Sequence, residues 1–401
     1  MSGTTAPTAP TEPTVLRDRD VAQRVSFLEL FFDLVYVFAV TRLSHMLLSH
    51  LSWTGAGETL VLLTAVWWAW NFTAWFSNWF DPEQLSVRLV IIAIMFASLV
   101  MSAALPYAFG AHGLEFVLAY LAIQIGRHTF VVVRLRGHWL AREYGRALVW
   151  FGASAVAWLA GALVHGVALR GGLWALAVLI EYGGAGVGFP VPGLGRASTS
   201  GWTISAEHLV ERCRLFVIIA LGESVVITGA TFGDASPGTA RFSAFATAFV
   251  AVVTMWWIYF ALAGGPTDSA VESASNPGLL GLRITYVHVP IAAGIIVSAV
   301  GDELVIAGPV THRTSLTESL VLVAGPALFL AGHALFKRLM FGYVNRPRVL
   351  AVVVLAVLIP LGTLVPPLAV ALAATAVLVA VAVADVRAAR RLGGLAAVDE
   401  I

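Results

Sequence analysis

The chain has 401 residues, of which 59% are hydrophobic and only 12% are charged. A soluble domain carries about 25% charged residues, so this composition indicates burial in a lipid bilayer. The net charge of +1 gives no basis for binding nucleic acid, and the single cysteine, Cys213, excludes an internal disulfide and any multi-cysteine metal site.

Apolar segments follow one another along almost the whole chain after a polar start. Residues 1–24 are rich in Thr, Pro and Ala and lack the layout of a signal peptide, so we predict a disordered tail there. A helix needs about 20 mostly apolar residues to span a bilayer. This length predicts twelve spans, at 26–48, 59–80, 85–109, 114–133, 147–167, 172–189, 207–228, 242–263, 280–300, 316–336, 349–365 and 367–383.

Basic residues gather in alternate connections between these spans. One side holds Arg17, Arg19, Arg24, Arg134, Arg136, Arg142, Arg146, Arg196, Lys337, Arg338, Arg346, Arg348, Arg387, Arg390 and Arg391. The other side holds only Arg42, Arg170, Arg241 and Arg313. Because basic loops stay in the cytoplasm, both termini are predicted to be cytoplasmic in a bacterial plasma membrane.

The two halves of the chain share landmarks in the same order. Three pairs of segments match: Trp67-Trp68 with Trp256-Trp257, Asp81-Pro82 with Asn276-Pro277, and Gly126-Arg-His128 with Gly332-His333. Internal repeats are common in transporters. We therefore predict an all-α integral membrane protein with two parallel six-helix repeats, 25–190 and 206–386, joined by a cytoplasmic linker over 191–205 and followed by a tail over 387–401.

Acidic residues lie inside the first helix of each predicted repeat. Glu29 and Asp33 share one helix face, and the spacing from Arg24 to Asp33 equals that from Arg214 to Glu223. A carboxylate at membrane depth costs a few kcal/mol or more, so it needs a partner, a water-filled cavity or a proton. Two interpretations stay open, because these acids either line an ion or proton path or pair with arginines to lock helices together.

Basic residues near the predicted cytoplasmic helix ends are candidates for structural ion pairs. This set comprises Arg24, Arg88, Arg214 and Arg283, together with Glu211 and Arg212 at the start of the seventh span. His208 and Glu211 also have the spacing of a metal pair, but two ligands do not make a site, so a locally paired helix start is the simpler interpretation.

Histidines and tryptophans inside the spans have similar alternatives. His128 and His333 are candidates for a proton relay, or for hydrogen bonds between helices. Glu181 and His288 have no counterpart that we find in the other half. The aromatic run from Trp67 to Phe76 is suited either to lining a cavity for an apolar or cationic ligand or to tight packing.

Two motifs carry a family resemblance. They are Glu29-Leu-Phe-Phe-Asp33-Leu-Val-Tyr-Val-Phe-Ala, and His208-x-x-Glu211-Arg212 followed by Leu215-Phe-Val-Ile-Ile-Ala-Leu-Gly-Glu223-Ser. The chain resembles the bacterial low temperature requirement A (LtrA) family over about residues 19–390. This resemblance implies a polytopic inner-membrane protein, from a family named for a cold-growth phenotype.

A second resemblance is more distant. The placing of Arg24, Phe32 and Asp33 is similar to the Arg-x-x-x-Phe-Ser-Asp motif of an endolysosomal and bacterial potassium/proton channel family. Here the arginine-to-acid spacing is longer, and Phe32 stands in place of the serine. This resemblance implies a pore near the first and seventh spans.

The sequence thus favours a membrane transport protein that moves an ion or small solute between its two repeats. The expected contacts are the lipid bilayer and a small cation or proton, with no cofactor, no nucleic acid and a homo-oligomer left open. Two alternatives remain: a membrane-embedded enzyme acting on a lipid or apolar substrate, and a structural or stress-response membrane protein without transport activity.

Overall fold

The computed structural model describes residues 15–18, 25–198, 202, 204–234, 238–261, 275–308 and 312–391. These residues form twelve α-helices and no strand. In chain order the helices are α1 (Phe27–Ser49), α2 (Trp53–Trp79), α3 (Leu85–Ala104), α4 (Gly113–Arg134), α5 (Trp139–Leu163), α6 (Val167–Gly186), α7 (Ala206–Asp234), α8 (Thr239–Phe260), α9 (Pro277–Ala307), α10 (Leu316–Phe341), α11 (Arg346–Gly362) and α12 (Pro367–Arg391).

Ten of these helices are long and apolar enough to cross a membrane, which confirms a multi-span helical protein. The two described helices outside this set are α1, which carries Glu29, Asp33 and Arg42, and α11, which has only 17 residues. Large apolar side chains point outward from many helices, as with Phe96 at 70% exposure and Val226 at 63%. Such a surface is suited to lipid, because soluble monomers rarely expose large contiguous apolar patches.

The interior is centred on α2. Its tryptophans Trp67, Trp68 and Trp70 are at most 1% exposed, which places the aromatic run inside the bundle. Trp256 and Trp257, which the sequence matches to Trp67 and Trp68, are instead 44% and 42% exposed. The environments differ because α2 contacts helices of both halves, namely α1, α4, α6, α7 and α9, whereas α8 packs mainly on α7, α9 and α12.

The same neighbours recur in the first six and the last six described helices. The pairs α1–α3, α3–α4, α4–α5, α5–α6 and α2–α6 are in contact, and so are α7–α9, α9–α10, α10–α11, α11–α12 and α8–α12. Contacts between the two sets run through α1–α7, α1–α9, α2–α7 and α2–α9. The first helix of each set therefore lies at the boundary between them.

Residues 15–18 differ from the expected disordered tail. The amide of Arg17 donates to the carbonyl of Trp79 at 3.0 Å, and the amide of Asp81 donates to the carbonyl of Val15 at 3.0 Å. Val15 is 2% exposed. This short segment therefore packs against the end of α2, and it carries the Arg17 side chain to the functional site below.

Candidate functional site

Helices α1 and α7 lie side by side and run in the same direction. Glu29 and Asp33 near the start of α1 contact Arg212 near the start of α7, and Thr41 farther along α1 contacts Glu223 farther along α7. The two contacts occur in the same order along α1 and along α7, so the two helices are parallel.

The candidate site is a buried ionic cluster where α1, α2 and α7 meet. The Arg212 guanidinium donates from Nη1 to Glu29 Oε1 at 3.0 Å and from Nη2 to Asp33 Oδ1 at 2.6 Å. Trp70 Nε1 also donates to Asp33 Oδ1, at 2.7 Å. All four side chains are at most 1% exposed. Burying charges this deeply is tolerable only when they are paired and hydrogen-bonded, and here they are.

Glu29 is held from several directions. It closes a capping box with Ser26, accepting the Ser26 amide at 2.8 Å, so one carboxylate oxygen satisfies the start of α1. The same oxygen accepts from Arg17 Nη2 at 2.8 Å, while the other lies 3.0 Å from His208 Nε2. Two carboxylates thus face two guanidinium groups, and the cluster is balanced when His208 is neutral.

The hydrogen bonds around His208 define a neutral tautomer. Asn78 accepts the Ser205 amide at its Oδ1, at 3.1 Å, which fixes the orientation of the Asn78 side-chain amide. Its Nδ2 then lies 3.2 Å from His208 Nδ1 and can only donate. Nδ1 is therefore the acceptor, and the ring hydrogen of the neutral form is on Nε2, facing Glu29.

The cluster keeps unused hydrogen-bonding capacity. Within the described residues, Asp33 Oδ2 and Arg212 Nε are buried and have no hydrogen-bond partner. Unsatisfied buried polar atoms are uncommon in native proteins, and a site that binds ions or rearranges is one place where they occur.

Glu223 lies at a second depth of the same interface. It is 8% exposed and accepts a hydrogen bond from the Thr41 hydroxyl. Between this acid and the ionic cluster, α7 presents the buried apolar side chains of Phe216, Val217 and Ala220. The interface therefore has ionisable groups at two levels, with an apolar section between them.

His128 lies away from this interface, in a polar network of the first six helices. Its Nδ1 is 2.6 Å from the Gln124 carbonyl, and the neighbouring Arg127 donates to the Gln124 side chain and to Thr73 at 2.9 Å. Gln124 donates in turn to the Tyr120 hydroxyl at 3.0 Å.

This network ends on Glu181 of α6. Tyr120 donates to one oxygen of this carboxylate, and Ser154 and Trp158 donate to the other at 2.7 and 2.9 Å. Arg127 and Glu181 are both 1% exposed. A buried guanidinium group is thus linked to a buried carboxyl group through neutral side chains.

His333 belongs to a separate ionic group in the last three helices. Arg348 donates from Nε to His333 Nδ1 at 2.9 Å and from both terminal nitrogens to Asp385, at 2.9 and 2.6 Å. Lys337 stands 3.8 Å from Asp385. The structure therefore brings Glu29 and Asp33 together with Arg212, but it brings neither His128 nor His333 to them.

The other candidate ion-pair residues are spread over the molecule. Arg88 pairs with Glu83 at 2.9 Å on the surface, and Arg283 is exposed. Arg214 and Glu211 are half-buried on α7. Arg24 lies outside the described residues. Within the described ranges no three or more His, Cys, Asp or Glu side chains are placed to hold a metal ion, and this includes the surroundings of His208 and Glu211.

Three partners in these groups are absent from the sequence-based prediction. Arg17 was assigned to the tail and Trp70 to the aromatic run, and Asp385 lies two residues beyond the last predicted span, 367–383. A usable signal existed for Asp385, because it is 204 residues beyond Glu181 and His333 is 205 residues beyond His128. Asp385 and Glu181 thus lie at nearly the same spacing as the two histidines.

Comparison with known proteins identifies relatives over most of the chain. The family model described as bacterial low temperature requirement A protein (LtrA) matches residues 24–383. An uncharacterized protein of Rhizobium meliloti (strain 1021) is 38% identical over 320 residues, which cover 79% of this chain and 77% of that protein. No solved structure matches. The match spans both motifs that carried the resemblance and all but the last residues of the helical region, and the chain therefore belongs to the bacterial low temperature requirement A (LtrA) family.

Proposed function

We propose that this protein moves an ion or a small solute across the bacterial plasma membrane, along a path between two six-helix halves that is controlled by acidic residues of α1 and α7. One observation carries the proposal. Ionisable groups occupy two depths of the α1–α7 interface, and a short apolar section separates them. Buried ionisable residues within a membrane bundle commonly mark ion or proton pathways.

The two-repeat organisation of the proposal is supported by packing and chemistry. Six helix pairs of the first six helices recur at equivalent places in the last six, the sixth being α1–α2 with α7–α8. In each half a carboxyl group of the sixth helix binds side chains of the fourth or fifth helix. Glu181 binds Tyr120 and Ser154, and Asp385 binds Arg348. Parallel α1 and α7 fit two halves that point the same way, with a pseudo-two-fold axis along the membrane normal.

The dimensions of the interface suit a gated path. Glu29 and Thr41 are twelve residues apart on α1, which is roughly 18 Å along the helix axis. With both termini in the cytoplasm, the Glu29–Arg212 cluster lies towards the cytoplasmic side and Glu223 lies deeper. Beyond Glu223, α9 contributes Asp302 and Glu303, each with one buried oxygen that has no hydrogen-bond partner among the described residues.

The ion pairs of Arg212 with Glu29 and Asp33 hold the proposed path closed at this end. Arg212 of the second half binds Glu29 and Asp33 of the first half, so any separation of α1 from α7 at this end must break two short charged contacts. A proton or cation that neutralises Asp33 would weaken the hold of Arg212. The proposal thus couples the occupancy of the acidic site to movement between the halves, and it assigns no catalytic chemistry to the chain.

The test is flux through purified protein in liposomes, read with a pH dye and with a potassium gradient. We expect flux in the wild type and at least a tenfold loss in Glu223→Gln and Asp33→Asn. Glu83→Gln is the matched control, because Glu83 is 72% exposed and lies outside the interface. Size-exclusion profiles establish that each variant is folded.

Other outcomes would contradict the proposed transport function or the role of these acids in it. Unchanged flux in both interface variants would refute the role of these acids. A wild type that moves neither protons nor potassium, with interface variants that lose thermal stability, would favour a structural protein. The extensive satisfaction of Glu29 by Ser26, Arg17 and Arg212 is the observation that supports this second candidate.

A further inference from the structure

A cavity of about 70 Å³ lies beside α2, away from the α1–α7 interface. Its walls come from α2, α4, α5, α6 and α9 and from the connection after α6. Trp68, Phe72, Trp75 and Trp79 follow one another at helical spacing along the face of α2 that lines it, and Tyr144 closes it from α5. The aromatic run of the sequence therefore borders a cavity as well as packing the core.

Two hydrogen-bond acceptors in this cavity have no partner among the described residues. Glu143 binds Arg146 through Oε1 at 2.6 Å, but its Oε2 is buried and unbonded. His128 contacts the Gln124 carbonyl through Nδ1, which must be the donor there, so Nε2 of the neutral ring carries a lone pair. That Nε2 is buried and unbonded as well, and the His128 side chain is only 1% exposed.

Three donors in the same cavity are also unbonded within the described part of the chain. They are the indole N–H groups of Trp68, Trp79 and Trp202. Trp68 is 1% exposed and Trp79 is 4% exposed. A buried polar atom without a partner destabilises the folded protein. Five such atoms around one cavity indicate that a bound molecule supplies what the protein does not.

The chemistry of the walls defines the class of that molecule. Aromatic faces attract cations, and a carboxylate oxygen and an imidazole lone pair accept N–H hydrogen bonds. The indole N–H groups require an acceptor. We propose that this cavity binds a small protonated amine with an apolar body and an oxygen atom, whose ammonium group contacts Glu143 and His128 while the oxygen accepts from the tryptophans.

The cavity has a route to the membrane surface. The Glu143 side chain is 18% exposed, and Trp202 is half-buried. Both lie near the end of α2 and the start of α5, where the polar connection between α4 and α5 meets the bundle. An amphipathic amine can therefore place its charge near this interface and its apolar body among the aromatic rings. The proposed site does not rest on the transport function, because binding here involves neither Asp33 nor Glu223.

The experiment is isothermal titration calorimetry of the full-length protein in detergent with 1-aminopropan-2-ol, a ligand small enough for this cavity. The matched ligand is propane-1,2-diol, which replaces the ammonium group with a neutral hydroxyl. We expect saturable binding of the amine, and binding of the diol weaker by about tenfold or more, as a charged hydrogen bond to the buried Oε2 of Glu143 implies. Glu143→Gln should weaken the amine by a similar factor and leave the diol unchanged.

Glu115→Gln is the control variant, because the Glu115 side chain is 53% exposed and outside the cavity. It should bind the amine as the wild type does. Equal binding of amine and diol to the wild type would overturn the assignment of a cation. No binding of either to folded protein at millimolar concentration would mean that water alone satisfies these atoms, and it would also overturn the proposal. Because binding is measured without a membrane gradient, a failed flux assay leaves this result intact.

Discussion

Replacing Arg212 with methionine is the most direct test of the buried ionic cluster. The substitution keeps much of the side-chain volume but removes the hydrogen bonds to Glu29 at 3.0 Å, to Asp33 at 2.6 Å and to Ser77 at 3.2 Å. Two carboxylates then remain buried at 0–1% exposure with less charge compensation. Breaking a buried ion pair in this way costs about 3–5 kcal/mol.

An exposed arginine gives the matched control. Arg88 pairs with Glu83 at 2.9 Å, but the side chains are 43% and 72% exposed. Exposed pairs contribute about 0–1 kcal/mol. Arg88→Met should therefore lower the unfolding free energy by less than about 1 kcal/mol, although the same residue type is removed and the pair has nearly the same length.

The assay is unfolding in mixed micelles at increasing SDS fraction, followed by tryptophan fluorescence. We expect Arg212→Met to lose at least about 2 kcal/mol more than Arg88→Met. Combining Arg212→Met with Asp33→Asn should be less harmful than the sum of the two single changes, by roughly 1–3 kcal/mol, because the second change removes the orphaned charge. Equal losses for the two arginine variants, or additive effects of Arg212→Met and Asp33→Asn, would refute the reasoning.

Three further predictions use the same unfolding assay. Asp385→Asn leaves the buried Arg348 guanidinium without its two-point partner and should cost about 3 kcal/mol or more; a loss below about 1 kcal/mol, the range of an exposed pair, would contradict this. Glu181→Gln keeps the shape of the side chain but replaces one of its two acceptor oxygens with a donor amide, so at least one of three hydrogen bonds is lost. We expect a loss of about 1–3 kcal/mol, and an unchanged midpoint would contradict it. Gly294→Ala should destabilise by about 1–3 kcal/mol, because its new Cβ would lie 2.4 Å from a backbone nitrogen of α10. Gly222→Ala is the control, because its Cβ would meet no atom within 4 Å, and it should be neutral or stabilising. Similar effects at both glycines would refute this packing argument.

The helical spans were accessible from the sequence because bilayer burial requires long apolar runs. The predicted span 114–133 and the observed Gly113–Arg134 differ by one residue at each end. The segments at 59–80 and 147–167 began later than the helices Trp53–Trp79 and Trp139–Leu163. At both starts polar or charged residues, such as Arg142 and Glu143, belong to the helix although they interrupt the apolar pattern. A helix can include such residues near the membrane surface, whereas a search for continuous apolar segments leaves them out.

The landmarks of the repeat were only partly informative. His128 and His333 are 205 residues apart, and Glu181 and Asp385 are 204 residues apart. Each of the two acids binds side chains of preceding helices in its set of six. The tryptophan pairs are 189 residues apart. Their environments differ, because α2 is enclosed by helices of both halves while Trp256 and Trp257 of α8 are partly exposed. Similar spacing in the sequence suggests which residues of the two segments correspond. The helices that pack around each residue decide which side chains it contacts.

The sequence by itself determined the class of protein, the family, and the presence of costly charges in α1 and α7. Spacing along one helix could not reveal that Arg212 is the partner of Glu29 and Asp33, because these residues are about 180 positions apart and meet only when α1 and α7 pack in parallel. Nor could it reveal that one cavity is surrounded by five polar atoms, from α2, α4, α5 and the connection after α6, that have no partner among the described residues. Pairing between distant helices is a property of packing, and only the tertiary structure decides it.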